Sequence, residues 1–191
     1  MIFIDNSRVK SILDDMFAGI FDNMPTVYFS KINSDAIVSS KINENAGYDI
    51  YSNFKEDYII IPPHETKLTP TGIASAFSDD YYLQIKERGS TGINGMGIRA
   101  GVVDSGFRGE IKVVITNHNN VHLVIAKKGI TVADVFGEVA PSETIFYPYE
   151  KAIAQLVLLP VPKVQVKEIS YDDLLNIKSE RGADMLGASG K

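Results

Sequence analysis

Residues 101–110 read Gly-Val-Val-Asp-Ser-Gly-Phe-Arg-Gly-Glu, so three glycines surround a carboxylate, an aromatic ring and a guanidinium. Glycine accepts positive φ and lets a ligand approach the backbone closely. The β-branched pair Val102-Val103 precedes this tip, and the strand-like segment Ile111 to Thr116 follows it. The pattern predicts a hairpin whose turn carries chemistry through Asp104 and Phe107. The alternative is an ordinary surface turn, in which Asp and Gly serve backbone geometry alone.

Length and composition favour one soluble domain. A chain of 191 residues is large enough to bury a substantial core without covalent staples. It has no cysteine, which excludes a disulfide scaffold and a thiolate metal site. Its longest apolar runs, such as Ile153 to Val161, fall far below the roughly 20 residues of a membrane span, and the N-terminus lacks a signal-sequence arrangement. We therefore expect a cytoplasmic protein with no membrane contact.

The charge balance argues against a nucleic-acid partner. Nineteen basic residues against 24 acidic ones give a formal charge of −5, and no basic run follows the pattern of a phosphate-backbone footprint. A small polyanion stays open as a ligand, because local arginines and backbone amides bind phosphate whatever the net charge.

From Thr26 onward, short β-branched and aromatic segments alternate with clusters of Gly, Pro, Asn and Asp, which indicates a mainly β sandwich or barrel. Side-chain alternation in two of these segments predicts one buried strand face. The predicted strands are Val27 to Ile32, Tyr58 to Ile61, Tyr81 to Lys86, Ile111 to Thr116, Val121 to Ile125 and Ile153 to Leu159.

Helical signals lie near the two ends. Apolar residues at helical spacing, followed by Pro25, predict an amphipathic helix over residues 7–21 within an N-terminal extension of residues 1–25. Ser170 with Asp173 resembles a capping box that opens a short helix from Tyr171 to Ile177. We expect a single β domain over residues 26–179 and a mobile arm over residues 180–191. Residues 127–149 are expected to form a long excursion with a short strand or helical turn.

Four further stretches have compositions that core packing does not require. Ala46 to Ile50 places an acid beside a glycine turn, and Glu87 to Gly92 combines a guanidinium, two hydroxyls and two glycines. Such a combination suits phosphate oxygens. Pro148 to Leu156 carries one amide into an apolar strand, and the tail repeats the guanidinium, hydroxyl and glycine combination. Each stretch also has a structural interpretation, as an Asx turn, loop hydroxyls, a strand-edge amide or a solvated arginine.

Taken together and in this order, the five stretches resemble the five motifs of the trimeric dUTPase (dUTP diphosphatase) family, from about Val27 to the last residue. The resemblance implies a jelly-roll-like subunit, a homotrimer with active sites at subunit contacts, and magnesium-dependent cleavage of dUTP to dUMP and pyrophosphate. It also implies that Asp104 activates the attacking water and that Asp49 holds Mg²⁺ through water. Both roles agree with general chemistry, because a base need only orient a water and Mg²⁺ prefers to keep several waters.

The resemblance further implies a set of substrate-binding residues. Arginine, serine and glutamine side chains would contact the phosphates, the backbone around residues 98–102 would read the uracil edge, and Phe107 would pack under deoxyribose in place of the usual tyrosine. The complete set is Arg88, Gly89, Ser90, Ile98, Gly101, Val102, Phe107, Gln155, Arg181, Leu186 and Ser189.

The sequence departs from the family pattern at several points. The usual Arg-Ser-Gly order appears as Arg88-Gly89-Ser90, and Leu186 replaces the tail phenylalanine that caps uracil. The helix of residues 1–25 and an insertion at residues 127–146 lie outside the common pattern, and both are candidate contacts for a protein partner.

Two other functions are alternatives to dUTP hydrolysis. A dCTP deaminase, which has a related fold, needs a glutamate at the position that Val114 occupies, and an aliphatic side chain cannot transfer protons. A nucleotide-gated regulatory protein would not require the full set of Asp49, Asp104 and Arg181. The three histidines lack the spacing of a zinc site, so we expect none.

Overall fold

The computed structural model describes residues 24–180 and 182–183, and within them the chain forms twelve strands and three short helices. The strands are β1 Val27–Lys31, β2 Gly47–Tyr51, β3 Tyr58–Ile61, β4 Thr66–Pro70, β5 Ile73–Phe77, β6 Tyr81–Lys86, β7 Met96–Arg99, β8 Val102–Val103, β9 Lys112–Asn117, β10 His122–Ala126, β11 Thr144–Pro148 and β12 Ala152–Pro160. The helices are α1 Gly89–Ile93, α2 Val132–Phe136 and α3 Tyr171–Leu175.

The strands form four small sheets, whose strand orders are β1-β5, β11-β10-β3, β2-β12-β6-β8 and β4-β9-β7. The pairings between named strands in the described residues are antiparallel except that of β10 with β11. Inward-facing aliphatic side chains from several sheets form one core, in which the largest members are fully buried. They include Ile50, Ile61, Leu83, Met96, Ile115 and Leu123. The prediction of a mainly β protein is confirmed.

All six predicted strands are present, and their ends shift by at most one residue. The alternation in β6 is also confirmed, because Leu83 and Ile85 are buried while Gln84 is half-buried and Lys86 is exposed. Strands with weaker apolar patterns were not predicted. In β4, for example, Leu68 is 60% exposed, and Pro70 is tolerated because β4 is an edge strand.

The predicted hairpin around residues 101–110 is wrong. Strand β8 pairs with β6, whereas β9 pairs with β4 and β7, so the segment leaves one sheet and enters another. A tight turn does lie at its tip, where the Phe107 N–H donates to the Asp104 carbonyl at 3.1 Å. The alternation predicted for Ile111 to Thr116 holds over residues 111–115, but alternation does not say which strand is the partner.

The 127–149 excursion contains both α2 and β11. The predicted helix after Ser170 is confirmed as α3, since the Ser170 hydroxyl accepts a hydrogen bond from the Asp173 N–H at 3.0 Å. The predicted N-terminal helix of residues 7–21 lies outside the described residues, as does the 1–25 extension up to residue 23. The described residues fall into two units, one that ends at Val161 and one that begins at Pro162 and contains α3. Within the described residues, none of the helices has the length and apolar character that crossing a membrane requires.

Candidate active site

The described residues bring five of the predicted site residues to one cavity, which we call the polar cavity. It has a volume of about 500 Å³ and lies where β2, β12 and the start of α1 meet. Its lining consists of Glu44, Asn45, Ala46, Asp49, Arg88, Gly89, Ser90 and Gln155. Guanidinium, hydroxyl and amide groups, which donate hydrogen bonds to anions, thus converge on one open space together with the carboxylates of Asp49 and Glu44.

A two-pronged ion pair organises the polar cavity. The Arg88 Nε lies 2.8 Å from Asp49 Oδ1, and Arg88 Nη2 donates to Asp49 Oδ2 at 3.1 Å. Both side chains keep about a third of their surface exposed, so water still reaches the pair. The planar guanidinium matches the carboxylate in this geometry, and each residue therefore fixes the orientation of the other. Both residues were predicted for the site, but their contact across 39 residues of sequence is visible only in the fold.

Gln155 reaches the polar cavity because Gly47 has no side chain. Gln155 stands opposite Asp49 in the register of β12 and β2, and Gly47 lies two residues before Asp49 on the same face of β2. A Cβ atom on Gly47 would lie 2.3 Å from Gln155 Oε1 and 2.9 Å from Gln155 Cβ. Gly47 was interpreted as part of a turn, but it lies in a strand and provides the space that Gln155 fills.

The segment that carries Arg88 is held by a local hydroxyl. The Arg88 N–H donates to Thr91 Oγ1 at 2.8 Å, and the Thr91 hydroxyl in turn donates to the Arg88 carbonyl at 3.0 Å. Thr91 is fully buried, while Ser90 is exposed and lies 3.4 Å from Arg88 Nη1. Thr91 therefore anchors the start of α1, and Ser90 presents its hydroxyl to the polar cavity. The sequence pattern predicts a phosphate-binding role for the two hydroxyls together and does not distinguish these roles.

Asp104 lies at a different cavity, which we call the turn cavity. It has a volume of about 330 Å³ and is lined by Ile85, Ala100, Val102, Val103, Asp104, Phe107, Glu110, Ile111 and Lys112. Asp104 is exposed, and among the described residues none forms a hydrogen bond or ion pair with its carboxylate. Val102 and the Phe107 ring are 60% and 46% exposed, so apolar surface surrounds an accessible acid.

The far end of the 104–110 turn is fixed by Glu110. Its Oε1 accepts hydrogen bonds from the backbone N–H groups of Thr71 at 3.2 Å and Gly72 at 2.9 Å. Its other oxygen lies 3.6 Å from Lys112 Nζ. Glu110 thereby ties the turn to the loop between β4 and β5. This residue lacked a predicted role, and its partners are 38 and 39 residues away in the sequence.

Two predicted base-reading residues, Ile98 and Gly101, line neither cavity. The Ile98 N–H donates to the Glu87 carboxylate at 2.8 Å, and the Gly101 carbonyl accepts from the Ile85 N–H at 2.6 Å. The hydrogen bond from Ile98 holds the pKa of Glu87 below its usual range, with Lys86 and His118 acting in the same direction. The remaining predicted residues, Arg181, Leu186 and Ser189, lie outside the described residues.

The donor set of the polar cavity fits a magnesium ion held mainly by a ligand and by water. The residues described here contain no cluster of three or more His, Cys, Asp or Glu side chains that could enclose a metal. Asp49 is a carboxylate at an open polar cavity, and Glu44 lines the same space. Mg²⁺ commonly takes one or two carboxylates together with phosphates and several waters. The carboxylates of Asp49 and Glu44 are therefore sufficient to contact the ion through its water ligands.

Solved structures share the fold of this chain. A dUTPase of Staphylococcus bacteriophage 80alpha, solved with dUpNHpp, superposes with a TM-score of 0.63 and covers 87% of this chain and 99% of its own, at 22% identity. A mutant dUTPase from phage phi11 of S. aureus, described with a structural Mg(II) ion, gives a TM-score of 0.56 and covers 75% of this chain and 96% of its own, also at 22% identity. The fold is that of the dUTPases.

Sequence comparisons give the family. The dUTPase family model matches residues 34–138, which is more than half of the chain. The deoxyuridine 5'-triphosphate nucleotidohydrolase of Nautilia profundicola is 34% identical over 84% of this chain and 96% of its own length. The enzyme of the same name from Candida albicans is 33% identical over 76% of each chain. The chain belongs to the dUTPase family, and the predictions of this family and of an enzyme are confirmed.

Proposed function

We propose that the protein hydrolyses dUTP to dUMP and pyrophosphate at a site shared between copies of the chain in a homotrimer. The observation that carries this proposal is the separation of the predicted site residues into two cavities with no lining residue in common. One cavity supplies the phosphate-binding groups and the other supplies the carboxylate and the aromatic ring. One substrate needs both sets at once, so the polar cavity of one copy would face the turn cavity of another.

The polar cavity would bind the triphosphate. Arg88 is already ordered by Asp49, and an oriented guanidinium loses less entropy when it binds an anion. The Ser90 hydroxyl beside it and the Gln155 amide at the same cavity add hydrogen-bond donors. Since these contacts are made from fixed elements, they would hold the α-phosphorus in one position for attack.

Asp104 would act as the general base. The carboxylate would accept a proton from a water molecule, whose oxygen then attacks the α-phosphorus. The bond between the α-phosphorus and the oxygen bridging to the β-phosphate breaks, and pyrophosphate leaves with that oxygen. Within the described residues the Asp104 carboxylate has no hydrogen-bond or ion-pair partner that would compete with such a water. General base catalysis of this kind contributes roughly 10²–10⁴-fold.

Asp49 would hold Mg²⁺ through water, with the phosphates as the main ligands. When bound, the ion would neutralise phosphate charge and draw the triphosphate into one geometry. The contribution of the chain is to keep the Asp49 carboxylate at the cavity surface, which the ion pair with Arg88 does at 2.8 Å.

Phe107 would select the sugar. Its ring is 46% exposed beside Asp104 in the turn cavity, where it could pack under deoxyribose and leave no room for a 2′-hydroxyl. The backbone of residues 98–102 would read the uracil edge. Arg181, Leu186 and Ser189 would close over the nucleotide from the arm at residues 180–191.

Three other expectations stay predictions. They are a jelly-roll-like arrangement of the strands, the division of the chain into residues 1–25, 26–179 and 180–191, and a cytoplasmic location.

The deaminase alternative is disfavoured by the residue at position 114. Val114 lies in β9, pairs with Arg99 across the strand and is half-buried. No proton-transferring side chain is therefore offered at this position. We expect incubation with dCTP to release no ammonia, and measurable release would favour the deaminase.

A regulatory role through a protein partner is a second proposal. Residues 127–146 contain α2 and an exposed apolar side chain, Val139, which is 89% accessible. An apolar residue on an insertion is consistent with a contact surface. Replacement of the exposed Val139 by aspartate should weaken partner binding while dUTP hydrolysis persists.

The test of the main proposal is pyrophosphate release from dUTP, dTTP, dCTP and UTP with magnesium. We expect activity on dUTP, a loss of at least about 100-fold in Asp104→Asn, and unchanged activity in the control Asp57→Asn, whose carboxylate lies 3.9 Å from Lys127 at another surface. Mixing inactive Asp104→Asn with inactive Arg88→Ala should restore part of the activity through mixed trimers. Undiminished activity of Asp104→Asn would refute the mechanism.

A further inference from the structure

Glu87 forms two contacts that no part of the proposed reaction uses. Its carboxylate Oε1 accepts a hydrogen bond from the Ile98 N–H at 2.8 Å. Its backbone carbonyl accepts a hydrogen bond from Gln155 Nε2 at 2.7 Å. The residue directly precedes Arg88, so the segment leading into the polar cavity is held on one side by β7 and on the other by β12.

The contact with Ile98 follows from the strand register. Strand β7 pairs with β9 such that Ile98 stands opposite Ile115, and the His118 N–H donates to the Gly95 carbonyl at the end of this ladder. Hydrogen-bonded pairs alternate along an antiparallel ladder, so the pair that includes Ile98 is a non-hydrogen-bonded one. The Ile98 N–H therefore points away from β9, and the Glu87 carboxylate meets it there.

We infer that Glu87 is a positioning residue that couples the phosphate-binding segment of Arg88 to the base-reading strand β7. The inference rests on the proposed function, because it assigns Glu87 a role in binding the same nucleotide. Glu87 would not touch the reacting atoms. It would set the distance between the guanidinium that binds phosphate and the backbone that reads the base. A nucleotide would then bind well only if its base and its phosphates are separated by that distance.

The coupling also decides what the backbone at Ile98 offers a base. Because the Ile98 N–H donates to Glu87, the group of Ile98 that remains to contact a base is its carbonyl, which is a hydrogen-bond acceptor. Uracil carries an N3–H donor, whereas cytosine carries an acceptor at N3. Occupation of the Ile98 N–H by Glu87 therefore removes a donor for the N3 acceptor of cytosine and leaves the Ile98 carbonyl to accept from the N3–H of uracil.

The test compares three variants with the wild type. Glu87→Ala removes the acceptor, Glu87→Gln keeps an acceptor oxygen without the charge, and Glu150→Ala is a matched control. The Glu150 carboxylate also accepts from a backbone N–H, that of Lys128 at 3.3 Å, but it lies at a different surface. Steady-state kinetics with dUTP, and hydrogen exchange by mass spectrometry on a peptide spanning residues 96–99, are measured for all four proteins.

We expect Glu87→Ala to raise KM for dUTP about tenfold while kcat stays within about twofold, because contacts made equally in the ground and transition states change KM alone. Glu87→Gln should recover most of this loss, and Glu150→Ala should match the wild type. Exchange at residues 96–99 should accelerate in Glu87→Ala only. A purely structural role would instead lower kcat through loss of folded enzyme and leave KM unchanged.

The two proposals fail in different ways. If the wild type does not hydrolyse dUTP, the proposed function is wrong, and the exchange result still decides whether Glu87 holds Ile98. If the wild type is active and Glu87→Ala matches it in KM and in exchange, the positioning role is refuted.

Discussion

Replacement of Gly47 by alanine tests how the polar cavity is built. A Cβ atom there would lie 2.3 Å from Gln155 Oε1 and 2.9 Å from both Cβ and Cδ of Gln155. The oxygen could rotate away, but Gln155 Cβ is attached to the β12 backbone, so the strands themselves must separate. Overpacking of this kind costs about 1–3 kcal/mol. Loss of the hydrogen bond from Gln155 to the Glu87 carbonyl, 2.7 Å long, adds about 1 kcal/mol.

We therefore expect Gly47→Ala to lose about 2–4 kcal/mol of unfolding free energy, which corresponds to a decrease of roughly 4–16 °C in Tm for a chain of this size. Differential scanning calorimetry measures the change, and dUTP hydrolysis should fall with it because Gln155 leaves the cavity. Gly106→Ala is the control, since a Cβ on Gly106 has no atom within 4 Å. The double variant Gly47→Ala/Gln155→Ala should recover only part of the stability, because Gln155 Cβ remains. A Gly47→Ala protein that melts within about 2 °C of the wild type would refute this reasoning.

Three further outcomes follow from the geometry. Phe107→Ala should raise kcat/KM for UTP relative to dUTP, and an unchanged ratio would rule out the sugar-gate role of this ring. Glu110→Ala leaves the Thr71 and Gly72 N–H groups without their carboxylate acceptor and should cost about 1–2 kcal/mol in urea unfolding, most of which Glu110→Gln should restore. The pKa of Glu87 is lowered from the ordinary glutamate value of 4.5, so its charged form stabilises the fold above pH 4.5. This stabilisation is lost as the pH falls through the lowered pKa. The Tm difference between wild type and Glu87→Ala should accordingly shrink between pH 6 and acid conditions in calorimetry, and a difference that grows on acidification would contradict the assignment.

Much of the secondary structure was predictable because it depends on neighbours in the chain. The alternation in Tyr81–Lys86 matches the buried and exposed faces of β6, and Ser170 caps α3 through a residue three positions away. The segment at residues 101–110 shows where this reasoning stops. Its flanking residues do form strands, but β8 and β9 join different sheets, because pairing is decided by contacts across the whole domain.

The sequence by itself determined the strand-rich composition, the family resemblance and the residue types that the site requires, because motifs and periodicity are local properties. Only the tertiary structure decided how those residues meet. It brings Arg88 to Asp49 across 39 residues, seats Gln155 in the space above Gly47 and ties Glu87 to Ile98. It also places Asp104 at the turn cavity, which shares no lining residue with the polar cavity. The physical reason is that strand register and side-chain packing depend on long-range pairing, which the order of residues along the chain does not display.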